Sequence, residues 1–180
     1  MTYAPNFTTR PEIAGTFGVV SSTHWLATQT GMAILEKGGN AFDAAVAAGF
    51  VLQVVEPHMN GLGGDAVMIV QGARDAAPRV LCGQGVAPAG ATIAHYRRLG
   101  LDLIPGTGLL AAVVPGAFDA WMLMLRDYGT LAPAEALAPA IEFARNGYPV
   151  VAGVNAAITN VAGLFESDWP SSAAIYLPGG

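Results

Sequence analysis

The chain has 180 residues, of which 53% are hydrophobic and only 12% are charged, about half the ~25% charged fraction of a typical soluble domain. Its net charge of −5 and its lack of clustered lysine and arginine argue against nucleic acid as a partner, since phosphate binding needs such clusters. The single cysteine, Cys82, excludes an internal disulfide and a metal site built from cysteines.

The N-terminal region predicts an irregular arm followed by a short strand. Residues 1–15 contain Pro5 and Pro11, which interrupt regular structure. Residues 18–22, with two valines and two serines after a glycine, have the composition of a strand. We therefore expect the ordered part of the chain to begin near residue 16.

A first helix is predicted over residues 24–37. Ser22 or Thr23 is expected to cap it, because a hydroxyl at a helix start satisfies a free backbone N–H. Gly38 and Gly39 predict its end. The expected apolar face consists of Trp25, Leu26, Met32, Ile34 and Leu35.

A second helix is predicted over residues 41–55, capped by Asn40 and buried on most sides because it is apolar nearly all round. It is the longest apolar run, but Asp43 and Gln53 interrupt it, and ~20 residues are needed to span a bilayer. We therefore expect no membrane partner. No secretory signal pattern is visible, so the expected localisation is cytoplasmic.

The remaining elements follow from turn residues and apolar spacing. A hairpin is predicted from strands at residues 66–71 and 79–83. Later helices are expected at residues 91–99, 117–128 and 133–146, the last two opened by prolines. Residues 149–158 fit either a helix or an extended segment, and Pro178, Gly179 and Gly180 give a loop signal at the very end of the chain. The expected core face of the helix at 117–128 consists of Trp121, Met122, Leu125 and Tyr128.

No catalytic set assembles from the residues alone. Glu56 and Asp65 could form a carboxylate pair, but both flank a glycine-rich loop, where capping a neighbouring backbone group is the simpler expectation. The glycines of residues 61–64 follow a helix and precede a strand, the reverse of a dinucleotide-binding loop. Cys82, in an apolar run, is expected to be buried. The three histidines are too widely spaced for a metal site, so no catalytic residue, cofactor or metal is predicted.

Different short motifs rich in glycine, proline and small residues are distributed along almost the whole chain. They occupy residues 18–24, 37–47, 54–57, 61–64, 87–89, 114–116, 128–131 and 176–180, with Pro133, Ala138, Ile141, Ala144 and Gly147 in one helix. In this order they resemble the N-terminal part of the large subunit of the gamma-glutamyltransferase family.

The resemblance implies an N-terminal-nucleophile hydrolase, made as one precursor that cleaves itself. In such an enzyme a threonine at the new N-terminus of the small subunit attacks an amide carbonyl, and its own α-amine serves as general base. Hydrogen-bond donors then stabilise the oxyanion. The implied partners are that small subunit and a small-molecule amide substrate, with no cofactor. The threonine would lie outside this chain, which alone should be inactive.

Gln84 departs from the family pattern. This segment resembles that of the transferases that act on gamma-glutamyl groups. In those enzymes an arginine occupies the position of Gln84 and binds the substrate's α-carboxylate. A neutral amide cannot replace a charged, bidentate guanidinium at equal strength. We predict that Gln84 lines the substrate site and that, with Asp65 where a glycine is usual, it indicates a different acyl group, as in an acylase or an oxamate amidohydrolase. The alternative is that Gln84 only ends a strand and another arginine binds the substrate.

The predicted fold class is α+β, part of a four-layer αββα sandwich that is mostly helical in this chain and has a few strands. Residues 16–180 would be the N-terminal, incomplete portion of the large-subunit domain, and residues 1–15 the arm. Low charge content agrees with a chain covered by neighbours, although a soluble monomer rich in small residues is an alternative. A non-catalytic scaffold module is the alternative function.

Overall fold

The computed structural model describes residues 12–179, which form helices and one two-stranded sheet. The helices are α1 (Trp25–Glu36), α2 (Ala41–Val55), α3 (Ile93–Arg98), α4 (Ala117–Tyr128), α5 (Pro133–Asn146), α6 (Ala152–Asn160), α7 (Ala162–Asp168) and α8 (Pro170–Tyr176), with a 3₁₀ turn at Leu109–Ala111. Strands β1 (Ala66–Val70) and β2 (Arg79–Gly83) pair antiparallel, with Met68 opposite Leu81. Most of the predicted N-terminal arm, residues 1–11, lies outside the described residues.

The helix-rich α+β prediction is confirmed, and the predicted bounds of α2, α4, α5 and β2 match the observed ones. The segment left open at residues 149–158 is helical from Ala152. No helix is predicted over residues 165–176, but they contain the end of α7 and all of α8, and the loop signal at Pro178 and Gly179 lies after α8. Pro170 is the first residue of α8, a position where the missing N–H of proline has no helical partner to lose.

The predicted strand at residues 18–22 is also wrong. The segment has no regular secondary structure in the described part of the chain. A strand is defined by its ladder of backbone hydrogen bonds, and no backbone bond between residues 18–22 and another segment is found among the described residues.

The start of α1 differs from the prediction by one residue. His24, rather than Ser22 or Thr23, is the N-cap, and its Nδ1 accepts the N–H of Leu26 at 3.2 Å. The Ser22 hydroxyl donates to the carbonyl of His24 at 2.8 Å. The Thr23 hydroxyl donates to Glu56 at 2.5 Å and so joins the start of α1 to the end of α2. These two hydrogen bonds attach residues 22 and 23 to the start of α1 and to the end of α2.

Helix α2 supplies the centre of the core, and nine of its fifteen residues are buried. Its predicted burial is therefore confirmed. The core comprises Leu26 and Ala27 of α1, Val46, Phe50, Val51 and Val55 of α2, Val70 and Leu81 of the hairpin, Met124 and Leu125 of α4, and Ala136 and Ala140 of α5. Trp25, expected in this core, is instead 54% exposed, because α1 turns Ala27, Thr30 and Gly31 inward. No helix among residues 12–179 is long and apolar enough to cross a bilayer.

One fully buried carboxylate, Asp43, ties α2 to the turn between α4 and α5. It accepts the N–H groups of Thr130 and Leu131 at 2.8 and 3.1 Å and the Thr130 hydroxyl at 2.6 Å. It also accepts the N–H of Asn40 at 2.9 Å, completing a capping box. The Asn40 amide in turn donates to the carbonyl of Tyr128 at 2.7 Å. Residues 128–131 are thereby fixed to the start of α2.

The hydrogen bonds keep Asp43 ionised. Burial alone would raise the pKa of this carboxyl, but the bonds from Thr130, Asn40 and Leu131 favour its charged form and hold the pKa below its usual range. Gly129 allows the close approach that these bonds need, since a Cβ there would lie 2.7 Å from Asp43 Oδ1.

We expect Asp43→Asn to lower the free energy of unfolding of the chain at pH 7 by about 2–3 kcal/mol, because charge-assisted bonds are lost in a buried place. Because the folded pKa lies below the unfolded value of ~3.9, the stabilisation is complete above that value and is lost as pH falls through the folded pKa. The wild type and the variant should therefore converge in acid. Urea unfolding from pH 7 to pH 3 measures both effects.

The matched control is Asp102→Asn, which removes the same charge from an exposed loop residue. It should change the free energy of unfolding by less than ~0.5 kcal/mol. Equal stability of wild type and Asp43→Asn at neutral pH would show that Asp43 does not hold the two regions together.

Candidate functional site

Two of the motif segments, residues 61–64 and 114–116, meet between the end of β2 and the start of α4. The N–H groups of Gly116 and Ala117 donate to the carbonyl of Gly64 at 3.2 and 3.0 Å. The N–H of Val114 donates to the carbonyl of Val86 at 3.0 Å, so the chain leaving β2 runs beside the chain entering α4. Motifs far apart in the sequence thus form one local structure.

Glycine is required where these backbones cross. A Cβ on Gly116 would overlap the carbonyl oxygen of Gly83, and a Cβ on Gly85 would overlap the carbonyl oxygen of Val114. Backbone contacts this close leave no room for a larger residue. Gln84 lies between two of these glycines, so its backbone position is set by the crossing.

Gln84 follows β2 directly, is exposed, and lines a cavity of about 210 Å³. The cavity walls come from the end of β2, the segment after it and the first turns of α4. Asp119 is the only charged side chain among the described residues that line it. The Cys82 thiol lies 3.7 Å from Gln84 Oε1, a weak S–H···O contact. The site therefore offers an amide, a thiol and a carboxylate.

The structure bears on both readings of Gln84. Its place at the end of β2 agrees with the alternative that it ends a strand. No arginine lines the cavity within residues 12–179. Arg79, at the other end of β2, pairs with Asp75 at 3.5 Å instead. The substrate-binding role of Gln84 stays a prediction.

The expected burial of Cys82 is wrong, since the thiol is exposed. Alternate residues of a strand face opposite sides. In β2, Leu81 and Gly83 face the core, so Cys82 and Val80 face outward. The outward side of this hairpin is itself apolar, which is why the apolar run alone did not distinguish the two faces.

Glu56 and Asp65 do not form a catalytic pair. Glu56 is buried and accepts the Thr23 hydroxyl, so it links two helices rather than capping a neighbouring backbone group. Asp65 is exposed just before β1, and no group among the described residues donates a hydrogen bond to it. Asp43, whose hydrogen bonds lower its pKa, joins α2 to the turn before α5 and is not part of a catalytic pair.

The sequence analysis did not identify two acidic residues, one that links parts of the fold and one that lines the candidate site. Asp43 was noted only as a break in an apolar run, although Asn40 three residues earlier has the spacing of a capping box. Its contact with Thr130, 87 residues away, has no local signal. Asp119 lines the Gln84 cavity, and no local sequence pattern identifies it.

Comparison with known proteins agrees with the motif resemblance. Residues 27–180 match the family described as gamma-glutamyltranspeptidase. The glutathione hydrolase-like YwrD proenzyme of Bacillus subtilis is 45% identical over 141 residues, which cover 78% of this chain and 26% of that protein. The acylase ACY 1 proenzyme of a Pseudomonas strain is 39% identical, covering 93% and 31%. The oxamate amidohydrolase proenzyme of Klebsiella pneumoniae is 38% identical, covering 76% and 26%.

Solved structures show the same relationship. The structure of LmbA2991HD is 60% identical with a TM-score of 0.91, covering 97% of this chain and 30% of that one. Helicobacter pylori gamma-glutamyltranspeptidase is 33% identical with a TM-score of 0.82, covering 89% and 47%. The chain therefore belongs to the gamma-glutamyltranspeptidase family. It spans about a quarter to a third of the length of these curated relatives.

We expect Gly116→Ala to lower the free energy of unfolding by about 1–3 kcal/mol, because its Cβ would overlap the Gly83 carbonyl and force β2 and α4 apart. The matched control is Gly153→Ala in α6, where a Cβ meets nothing within 4 Å. That change should stabilise the helix by roughly 0.5–1 kcal/mol. Urea unfolding compares the two, and an undiminished stability of Gly116→Ala would refute the close crossing.

Proposed function

We propose that this chain is the N-terminal part of the large subunit of an amide hydrolase or acyltransferase, with residues 16–180 in the large-subunit domain. The observation that carries the proposal is the family match over residues 27–180. Relatives named as proenzymes, of which this chain covers a third or less, support a nucleophile supplied from outside it. Among the described residues, no hydroxyl or thiol is hydrogen-bonded to a histidine side chain.

In the proposed reaction, an N-terminal threonine of the small subunit attacks the amide carbonyl through its hydroxyl. Its free α-amine takes the proton as general base. Hydrogen-bond donors stabilise the oxyanion, the amine leaves, and water or an acceptor amine then releases the acyl group from the threonine. This chain would contribute one wall of the substrate site and packing for the reactive subunit.

The proposed complete fold is the four-layer αββα sandwich. The outward side of the hairpin supports it, because Val67, Ile69 and Val80 are 58%, 77% and 69% exposed on one contiguous face. β-branched residues grouped in this way normally pack against another layer. The other side of the hairpin already packs on the helical core through Val70 and Leu81. A second sheet over the exposed face would complete the layers.

The proposed substrate is an amide whose acyl group lacks the charged head of a gamma-glutamyl group. The Gln84 cavity supports this, since Asp119 is its only charged wall among the described residues and would repel an α-carboxylate. A glutamine amide can instead donate to a neutral carbonyl or accept from an amide N–H. Of the relatives, the one named as an acylase favours this class, whereas oxamate, the substrate in the name of the other, carries a carboxylate that Asp119 would also repel.

The test of the missing nucleophile compares the complete protein with the 180-residue chain. The complete protein should cleave itself and turn over an amide substrate, whereas the purified chain should show no turnover with gamma-glutamyl anilides or oxamate. Turnover by the chain alone would contradict the proposal. A complete protein without a self-cleavage threonine downstream would favour the non-catalytic scaffold.

The test of substrate choice is Gln84→Arg in the complete protein. An arginine there should bind an α-carboxylate in a bidentate pair and lower KM for a gamma-glutamyl anilide by about tenfold or more. The matched control, Gln29→Arg, adds the same charge at an exposed residue of α1 and should leave KM unchanged. An unchanged KM in Gln84→Arg would remove Gln84 from the substrate site.

A further inference from the structure

Asp119 is the one charged side chain among the described residues that line the Gln84 cavity. It lies in the first turn of α4, three residues after Gly116. Because the N–H groups of Gly116 and Ala117 are bonded to the Gly64 carbonyl, the backbone that carries Asp119 is held at the same crossing as Gln84. The two side chains therefore line one small space from fixed backbone positions.

The Asp119 carboxylate has no protein partner within residues 12–179. The ion pairs found there do not include it; they are Arg79–Asp75 and Arg126–Asp127. Arg126 lies two turns further along α4, and Asp127 accepts two bonds from it, of 2.7 and 3.1 Å. Asp119 also accepts no N–H group at the start of its own helix, since α4 has no side-chain cap. Its oxygens can therefore accept hydrogen bonds from a ligand.

The rest of the cavity is small and largely apolar. Its volume of about 210 Å³ is below the ~300–1,000 Å³ of pockets for drug-sized ligands, so it suits a short acyl group. Most of its side chains are aliphatic: Leu81, Val86, Val114, Pro115, Ala120 and Leu123. Methylene groups fit against such walls, and no lysine, arginine or histidine of the described residues lines the cavity to bind an anion.

We propose that Asp119 binds an ammonium group of the substrate and makes the Gln84 cavity selective for short aminoacyl groups that carry no carboxylate. The inference rests on the proposed function, in which this cavity receives the acyl group of an amide. A gamma-glutamyl group has an amine and a carboxylate on the carbon farthest from its amide carbonyl. Gln84 has no charge to pair with that carboxylate, whereas Asp119 can accept charge-assisted hydrogen bonds from the amine.

The acyl group that matches both side chains is an aminoacyl group such as 4-aminobutanoyl, which is a gamma-glutamyl group without its carboxylate. Its ammonium group would pair with Asp119, and its methylene groups would lie against the aliphatic walls. The Gln84 amide, being neutral, leaves this pairing as the charge interaction that selects the substrate.

A carboxylate in the first turn of a helix also stabilises that helix through the helix dipole. This structural role affects the folding of the protein and is the same for every substrate. Ligand binding instead affects only substrates with an ammonium group. Substrates that differ only in their terminal group therefore separate the two roles of Asp119.

The experiment measures kcat and KM of the complete protein for three 4-nitroanilides. Their acyl groups are 4-aminobutanoyl, pentanoyl and succinyl, which are similar in size and end in an ammonium, a methyl and a carboxylate group. In the wild type, kcat/KM should be higher for 4-aminobutanoyl than for pentanoyl by about five- to tenfold, mostly through KM, as for a partly exposed ion pair. This preference should fall as salt is added.

Asp119→Asn should abolish the preference, and turnover of the pentanoyl anilide by the same variant shows that it is folded. Asp119→Lys should reverse the preference in favour of the succinyl anilide. The matched control, Asp102→Asn, removes the same charge from an exposed loop residue that does not line the cavity, and it should retain the wild-type preference.

Equal kcat/KM for the 4-aminobutanoyl and pentanoyl anilides, a wild-type preference for succinyl, or a preference that survives Asp119→Asn would overturn the inference and leave the proposed amide hydrolysis in place. Absence of turnover with all three anilides would count against the proposed function instead. The inference is then tested on the same protein by calorimetry with 4-aminobutanamide and pentanamide. Tighter binding of 4-aminobutanamide that is lost in Asp119→Asn supports the inference, and equal binding of the two amides overturns it.

Discussion

A buried carboxylate fixes the geometry on which the other features of this chain depend. Asp43 is fully buried and ionised, and such a charge is tolerated only where donors surround it. Its donors come from the start of α2 and from residues 130–131, so satisfying the charge also sets the position of α2. That helix carries the core on one side, and two cavities are lined by Ala41 and Ala45 on another. The hydrogen bonds of one side chain therefore position both the core and these cavities.

The candidate site is built from backbone contacts rather than from reactive side chains. Gly83, Gly85 and Gly116 let three segments touch, and Gln84 lies in the middle of them. What distinguishes the site is that the Gln84 amide stands where the family resemblance implies a guanidinium, and that the Asp119 carboxylate also lines the cavity. Under the proposed function, a changed side chain on this backbone would alter which acyl group is accepted, and the family's reaction would be retained.

Patterns among neighbouring residues predicted most helices and strands. The predictions failed where the structure depends on contacts between residues far apart in the sequence. Asn40 and the glycines after α1 set helix bounds that need only neighbouring residues. The contact between Asp43 and Thr130 joins residues 87 apart and has no local pattern. Cys82 was assigned to the wrong face because both faces of its strand are apolar. Residues 18–22 have a strand's composition and burial pattern, but the ladder that defines a strand requires a neighbour that the described residues do not supply.

We propose that the reactive hydroxyl comes from outside these 180 residues. The most direct test treats the complete protein with an electrophilic substrate analogue, separates its chains and maps the adduct by mass spectrometry. We expect two chains from one precursor, with the adduct on a threonine at the N-terminus of the smaller one. An adduct on any residue of the present chain, or turnover by an uncut precursor, would contradict it.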